Sequence, residues 1–130
     1  VKTYTVEDAV KILKTIPEYS NSEKETLGPR VVVGGNDSRA GKVFVDMTGG
    51  TEGAVEFIEK LSYAGVGTIV AMHMSEEHLE AAEKSHINVV IAGHISSDTL
   101  GLNLLIDRVE NKFGDIEIIS CSGFRRIQRR

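Results

Sequence analysis

From Lys42 onward, β-rich segments alternate with segments of helical periodicity, and this alternation constrains the fold more than any other feature of the sequence. The β-rich segments are Lys42–Met47, Thr68–Met72 and Val89–Ala92. An amphipathic helix over Thr51–Ala64 separates the first two, and a helix capped by Ser75 separates the second and third. Strands joined through helices form a parallel sheet with right-handed crossovers. We therefore predict an α/β domain with a mixed, mostly parallel sheet and helices on both faces.

The remaining segments complete a single domain over residues 1–130. Its predicted parts are a helix and linker at 1–30, a sheet-and-helix core at 31–124 and a basic tail at 125–130. Because the chain begins at Val1 rather than Met, we expect either that a tag has been removed or that the chain is a piece of a longer protein.

Turn and capping residues predict how the outer elements begin and end. Thr5 and Asp8 are spaced as a capping box for a first helix, which we expect Pro17 to end before a linker over residues 18–30. Glycine-rich turn chemistry after Val31–Val33 predicts a hairpin with the Lys42–Met47 strand. The predictions for the last part of the chain are a cap at Ser96 or Ser97, a long helix, and a final strand at Ile116–Ile119.

Charge and cysteine content narrow the class of protein. Fifteen Lys plus Arg against nineteen Asp plus Glu give a net charge of −4, which does not favour nucleic acid or an anionic membrane as a partner. The apolar stretches are far shorter than the ~18 residues of a membrane span. The single cysteine, Cys121, is expected to be a small buried residue rather than a nucleophile. Its lack of a disulfide partner suits a cytoplasmic protein.

Candidate functional residues follow the strands. Ligands of open α/β sheets collect beyond the carboxyl ends of the strands, where this sequence places Asp46, His73, His94 and Asp98. His94 and Asp98 are four positions apart, which projects both side chains to one side of a helical turn. An imidazole and a carboxylate suit zinc, iron or manganese, although two ligands do not complete a shell. The alternative is that Asp98 only occupies the first turn of the helix.

For the other candidate functional residues, a purely structural role is the preferred interpretation. The turn Thr48-Gly49-Gly50 could present backbone amides to a phosphate, but neighbouring carboxylates favour a plain strand-to-helix turn. His78 and His86 are expected to be solvated. The four arginines near the carboxyl terminus could contact nucleic acid, but no aromatic platform accompanies them, and a solvated tail is the preferred interpretation. They are Arg125, Arg126, Arg129 and Arg130.

The segment from His73 to Asp107 resembles the carboxyl-terminal part of the Nif-three-like family, also described as GTP cyclohydrolase 1 type 2 homologues. The shared features are a strand ending in Ala-Gly-His at positions 92–94, a carboxylate at Asp98, a glycine at Gly101 and the preceding Ser-Glu-Glu-His helix at 75–78. One branch of longer members is also similar over VFVDMTGGTEG at Val43–Gly53 and SCSGF at Ser120–Phe124.

This resemblance implies one lobe of a two-lobed fold with a dinuclear metal site in the cleft, assembled into ring-like homo-oligomers. His94 and Asp98 correspond to the family's metal ligands, and Asp46 and His73 are candidates for orienting them. The sequence departs from the family pattern in two respects. Asp98 is shorter than the usual Glu, and no His-His pair occurs in the chain. The resemblance therefore implies that the amino-terminal lobe, with most of the ligands, is missing.

Two functions from different classes follow. The first is the carboxyl-terminal lobe of a metal-dependent hydrolase that uses two divalent ions per complete site on a nucleotide-like or heterocyclic small molecule. The second is a non-catalytic interaction or assembly module in which the metal motif is a relic. An upstream His-His motif in the same reading frame would distinguish them.

Overall fold

A computed structural model describes residues 2–48 and 52–129. The helices are α1 (Val6–Lys14), α2 (Pro17–Ser22), α3 (Glu56–Tyr63), α4 (Glu76–Lys84) and α5 (His94–Phe113), and the strands are β1 (Arg30–Val33), β2 (Lys42–Asp46), β3 (Val66–Ala71) and β4 (Asn88–Ile91).

The four described strands form one sheet in the order β1-β4-β3-β2. β2, β3 and β4 are parallel, and β1 joins β4 antiparallel, which confirms the predicted mixed, mostly parallel sheet. The predicted hairpin is wrong, because β1 and β2 lie at opposite edges of the sheet. The glycine-rich segment between them is a connection across the sheet rather than a tight turn.

Alternate residues of the central strands divide the core between the two faces of the sheet. Ile69 and Val89 belong to a buried cluster under α3 and α4. Val70 and Val90 belong to a second cluster with Val6 of α1 and residues of α2. This period of two is the pattern of strands buried on both faces. The prediction of helices on both faces is confirmed.

The amino-terminal segment is more helical than its sequence suggested. The capping box of α1 is present, with Asp8 N donating to Thr5 Oγ1 over 3.2 Å and Thr5 N donating to Asp8 Oδ2 over 2.9 Å. Pro17 is the first residue of α2, so the first part of the predicted linker is helical. Proline suits the first position of a helix, because its missing N–H has no intrahelical acceptor there. Tyr19 Oη lies 2.9 Å from Ser97 Oγ in the interior, which fixes α2 against α5.

The carboxyl-terminal segment contains neither of the features predicted for it. The expected strand at Ile116–Ile119 is absent, since residues 114–121 have no regular structure and are mostly exposed. A β-rich run forms a strand only where a sheet surface accepts it. Cys121, which we expected to be buried, is exposed.

Over its described residues the arginine tail is not a solvated end, because Arg125, Arg126 and Arg129 each pair with a carboxylate of the fold; the Arg125–Glu25 pair, at 3.1 Å, is exposed. Arg129 Nη2 lies 2.5 Å from Glu18 Oε2 of α2, and Glu18 has no exposed side-chain surface. Arg126 pairs with Asp107 and, at 2.5 Å, with Glu110, both on α5. These pairs of Arg126 and Arg129 anchor the end of the described chain to α2 and α5.

Within the described residues, no helix is both long enough and apolar enough to cross a membrane.

Candidate functional site

The parallel ladder explains why the candidate histidines lie together. Ala71 of β3 lies opposite Ile91 of β4, so both strands end at the same edge of the sheet. His73 follows the first strand and His94 follows the second. Their imidazole rings are stacked, with centroids 4.9 Å apart and planes inclined by 20°.

His94 and Asp98 face each other across the first turn of α5. His94 Nε2 lies 3.2 Å from Asp98 Oδ2, and the two side chains are 49% and 62% exposed. The helix begins at His94, earlier than the predicted cap at Ser96 or Ser97. Gly93 enters the helix with φ 111°, and a Cβ there would lie 2.8 Å from Ser96 Oγ. A glycine is therefore needed directly before His94.

Glu52 is a site residue that the sequence analysis did not identify. Its carboxylate lies 3.5 Å from His73 Nδ1 and 2.9 Å from His78 Nδ1. Burial acts to raise the pKa of Glu52, but hydrogen bonds from Ser75 and the nearby His78 and His73 outweigh it and hold the pKa below its usual value. Glu52 is thus a fixed anion behind the stacked rings. Glu52 lies between Gly50 and Gly53 in the sequence, and no motif or residue spacing there marks it as a site residue.

His78 and His86 have different environments. His86 is exposed, as predicted. The prediction for His78 is wrong, because only 12% of its side chain is exposed. Its Nε2 lies 2.7 Å from the Gly53 carbonyl oxygen and its Nδ1 lies 2.7 Å from Ser75 Oγ. His78 therefore fastens the segment before α3 to the start of α4.

Asp46 lies at the end of β2, apart from the stacked histidines. Its Oδ1 accepts a hydrogen bond from Thr48 N over 3.0 Å. It lines a cavity of about 780 Å³ between α3 and the sheet, into which His73 also extends. Asp46 and His73 thus share one cavity. The glycines of the adjacent turn, Gly49 and Gly50, lie outside the described residues, and so does the suggested phosphate contact.

A second cavity, of about 500 Å³, is also lined by His73. His73 and His94 line it together with residues of α2, the segment before β1 and the tail. Arg30, the first residue of β1, also lines this cavity and was missed in the sequence analysis. Only the antiparallel pairing of β1 with β4 places Arg30 there.

The residues present fit part of a metal shell. Ligand atoms bound to one zinc ion at ~2.0–2.2 Å are about 3–3.5 Å apart, and the His94–Asp98 separation of 3.2 Å falls in that range. Among residues 2–48 and 52–129, no group of three or more His, Cys, Asp or Glu side chains is arranged to hold a metal ion. The described part of the chain thus offers two ligand atoms, which also form an ordinary i,i+4 pair.

Comparison with known proteins gave matches among solved structures only. No family model and no curated protein matches the sequence. A NIF3 superfamily protein from Sphaerobacter thermophilus is 30% identical, with a TM-score of 0.75 over 92% of this chain and 42% of that chain.

Two further structures share the fold at lower identity. A Bacillus cereus protein related to NIF3 is 18% identical, with a TM-score of 0.56 over 85% of this chain and 28% of that chain. A Staphylococcus aureus protein is 16% identical, with a TM-score of 0.56 over 97% of this chain and 35% of that chain. The chain therefore spans less than half the length of each of these three structures.

Proposed function

We propose that the chain, which is similar in sequence and fold to a NIF3 superfamily protein, belongs to that superfamily and acts as one lobe of a metal-dependent hydrolase. The proposed substrate is a nucleotide-like or heterocyclic small molecule, and the complete site holds two divalent ions, zinc, iron or manganese. His94 and Asp98 supply two of the ligands. The observation that carries this proposal is their 3.2 Å separation at an open, exposed edge of the sheet. The other ligands come from a second lobe.

Each residue of the cluster has a separate role in this proposal. A bound divalent ion would polarise the substrate and lower the pKa of a coordinated water. His94 and Asp98 hold the ion. His73 restricts the orientation of the His94 ring by stacking against it. The Glu52 carboxylate lies 3.5 Å from His73 Nδ1, so it can restrict the orientation of the ring that stacks on His94.

The exposed surface of α5 supports assembly with further protein. Ile95, Leu105 and Phe113 are 80%, 57% and 67% exposed, whereas the polar Asn103 and Asp107 face inward. Exposed apolar area of this kind marks contacts between proteins. We propose a homo-oligomer for the complete protein. The same surface supports the second candidate function, a non-catalytic assembly module in which His94 and Asp98 no longer bind metal.

Metal content distinguishes the two functions. The experiment compares wild type, His94→Ala and His86→Ala in a polypeptide that contains both lobes, with bound metal measured by elemental analysis after dialysis. We expect His94→Ala to lose one or both ions while its circular dichroism is unchanged. The exposed His86 serves as the control and should retain wild-type metal. Equal metal content in all three proteins, or none in the wild type, would favour the assembly module.

A further inference from the structure

We propose that the 500 Å³ cavity beside His94 is a substrate pocket in which Arg30 binds an oxyanion, a phosphate or carboxylate group of the substrate. The identity of this ligand as a substrate rests on the proposed function. The existence of the anion site does not, because it depends on Arg30 and the charges of the cavity alone.

The topology of the sheet brings Arg30 to the candidate site. Arg30 lies opposite Ile91 in the antiparallel β1–β4 pair, three positions before His94. The amino end of β1 therefore lies at the carboxyl end of β4. Ligands of open α/β sheets bind at this edge. A ligand held by Arg30 would share the cavity with the exposed imidazole of His94.

The charges around the cavity leave Arg30 as its available cation. The two carboxylates of the lining are each paired with a tail arginine, Glu18 with Arg129 at 2.5 Å and Glu25 with Arg125 at 3.1 Å. Arg30 is exposed and has no ion pair with any residue in 2–48 or 52–129. Its fork of N–H donors matches the oxygens of a phosphate or carboxylate.

The tail contributes to this pocket by neutralising its acidic side chains. Without Arg129, the buried Glu18 carboxylate would face the same cavity as an unpaired anion and would repel an anionic ligand. The cavity volume of about 500 Å³ lies within the range of small-molecule sites, ~300–1,000 Å³. The pocket therefore has the size and charge for a small molecule with one anionic group.

The test is a titration of the 130-residue chain with inorganic phosphate, without metal, followed in ¹H–¹⁵N NMR spectra. We expect progressive shifts of the amides of Arg30 and of residues 93–96. Arg30→Gln should weaken binding about fivefold, equivalent to ~1 kcal/mol. Arg30→Lys, which keeps the charge but not the fork, should weaken it less.

Arg108→Gln is the matched control. Arg108 is also exposed and has no ion pair in the described part of the chain, but it is not among the cavity residues. Equal weakening in Arg30→Gln and Arg108→Gln would mean general charge attraction and would overturn the site. So would wild-type shifts that miss residues 93–96. Because metal is absent throughout, failure here leaves the metal result for His94→Ala unaffected.

Discussion

His73 stacks on His94 at a centroid distance of 4.9 Å, and the carboxylate of Glu52 lies 3.5 Å from Nδ1 of the same His73 ring. His73 therefore lies next to both the Glu52 carboxylate and the ring of His94, the proposed metal ligand. Within the described residues, His73 does not form a metal-binding group of three or more His, Cys, Asp or Glu side chains. Its effect on a metal would therefore act through His94.

We expect His73→Ala to lower the zinc affinity of the two-lobed protein about tenfold, because groups that orient a ligand typically contribute this much. His73→Phe, which keeps a ring against His94, should recover part of the loss. Zinc affinity is measured by competition with a chelating dye. Equal affinities for wild type and His73→Ala would show that the stacking does not position His94.

The 130-residue chain alone should bind zinc or manganese no more tightly than micromolar, about −8 kcal/mol. Two exposed ligands leave at least two positions of a tetrahedral shell to water. Titration calorimetry on the monomeric and any oligomeric fraction tests this. Nanomolar binding by the monomer would mean that further ligands exist, and a tight site in a dimer alone would mean that two His94–Asp98 pairs combine.

We also expect the 130-residue chain to fold on its own. Both faces of its sheet are covered by helices, with a buried apolar cluster on each. Thermal unfolding monitored by circular dichroism should be cooperative. A broad transition accompanied by binding of a hydrophobic dye would contradict the prediction, because it would mean that packing requires another lobe.

The contact between Glu18 and Arg129 should be important for stability. Glu18→Gln is expected to cost roughly 2 kcal/mol, since it weakens a pair whose carboxylate is buried. Glu25→Gln alters an exposed pair with Arg125 and should cost less than about 0.5 kcal/mol. Urea unfolding of both variants gives the comparison. Similar losses in the two would contradict the structural role assigned to Glu18.

Acid should remove the same stabilisation. Burial opposes ionisation of Glu18, but hydrogen bonds from Arg129 and Asn103 hold its pKa below the ordinary value of 4.5. A hydrogen bond from Arg126 likewise lowers the pKa of Asp107 below 3.8. The stabilisation from depressed carboxyl pKa values is fully present above the unfolded-state values and is lost as the pH falls through the folded ones. The difference between wild type and Glu18→Gln should therefore shrink below about pH 4.5.

Local signals in the sequence predicted the elements that depend on local chemistry. The capping residues Thr5 and Ser75 begin helices as expected, and the apolar runs ending at Ala71 and Ile91 form the central parallel strands. The four-residue spacing of His94 and Asp98 correctly predicted that their side chains meet. Each of these features is determined by residues that are close together in the sequence.

The predictions that failed depend on distant partners. The hairpin prediction could not anticipate that β1 prefers the buried edge beside β4, which also brings Arg30 to His94. The polar face of α5 is buried because the tail packs against it. The hydrophobic periodicity of the helix does not predict this contact. Likewise, His78 looked solvated because its partner Glu52 lies 26 positions away in a segment without a motif.

Glu18 and Arg129, which pair in the folded protein, are 111 positions apart in the sequence. One partner of this contact is therefore synthesised well before the other. During synthesis α2 leaves the ribosome long before the tail exists, so Glu18 remains hydrated or unpaired while the sheet assembles. Domains generally fold as units, and the buried Glu18 carboxylate of α2 reaches its final environment only once Arg129 has been synthesised. The last described residue of the chain thus completes the packing of one of its first helices.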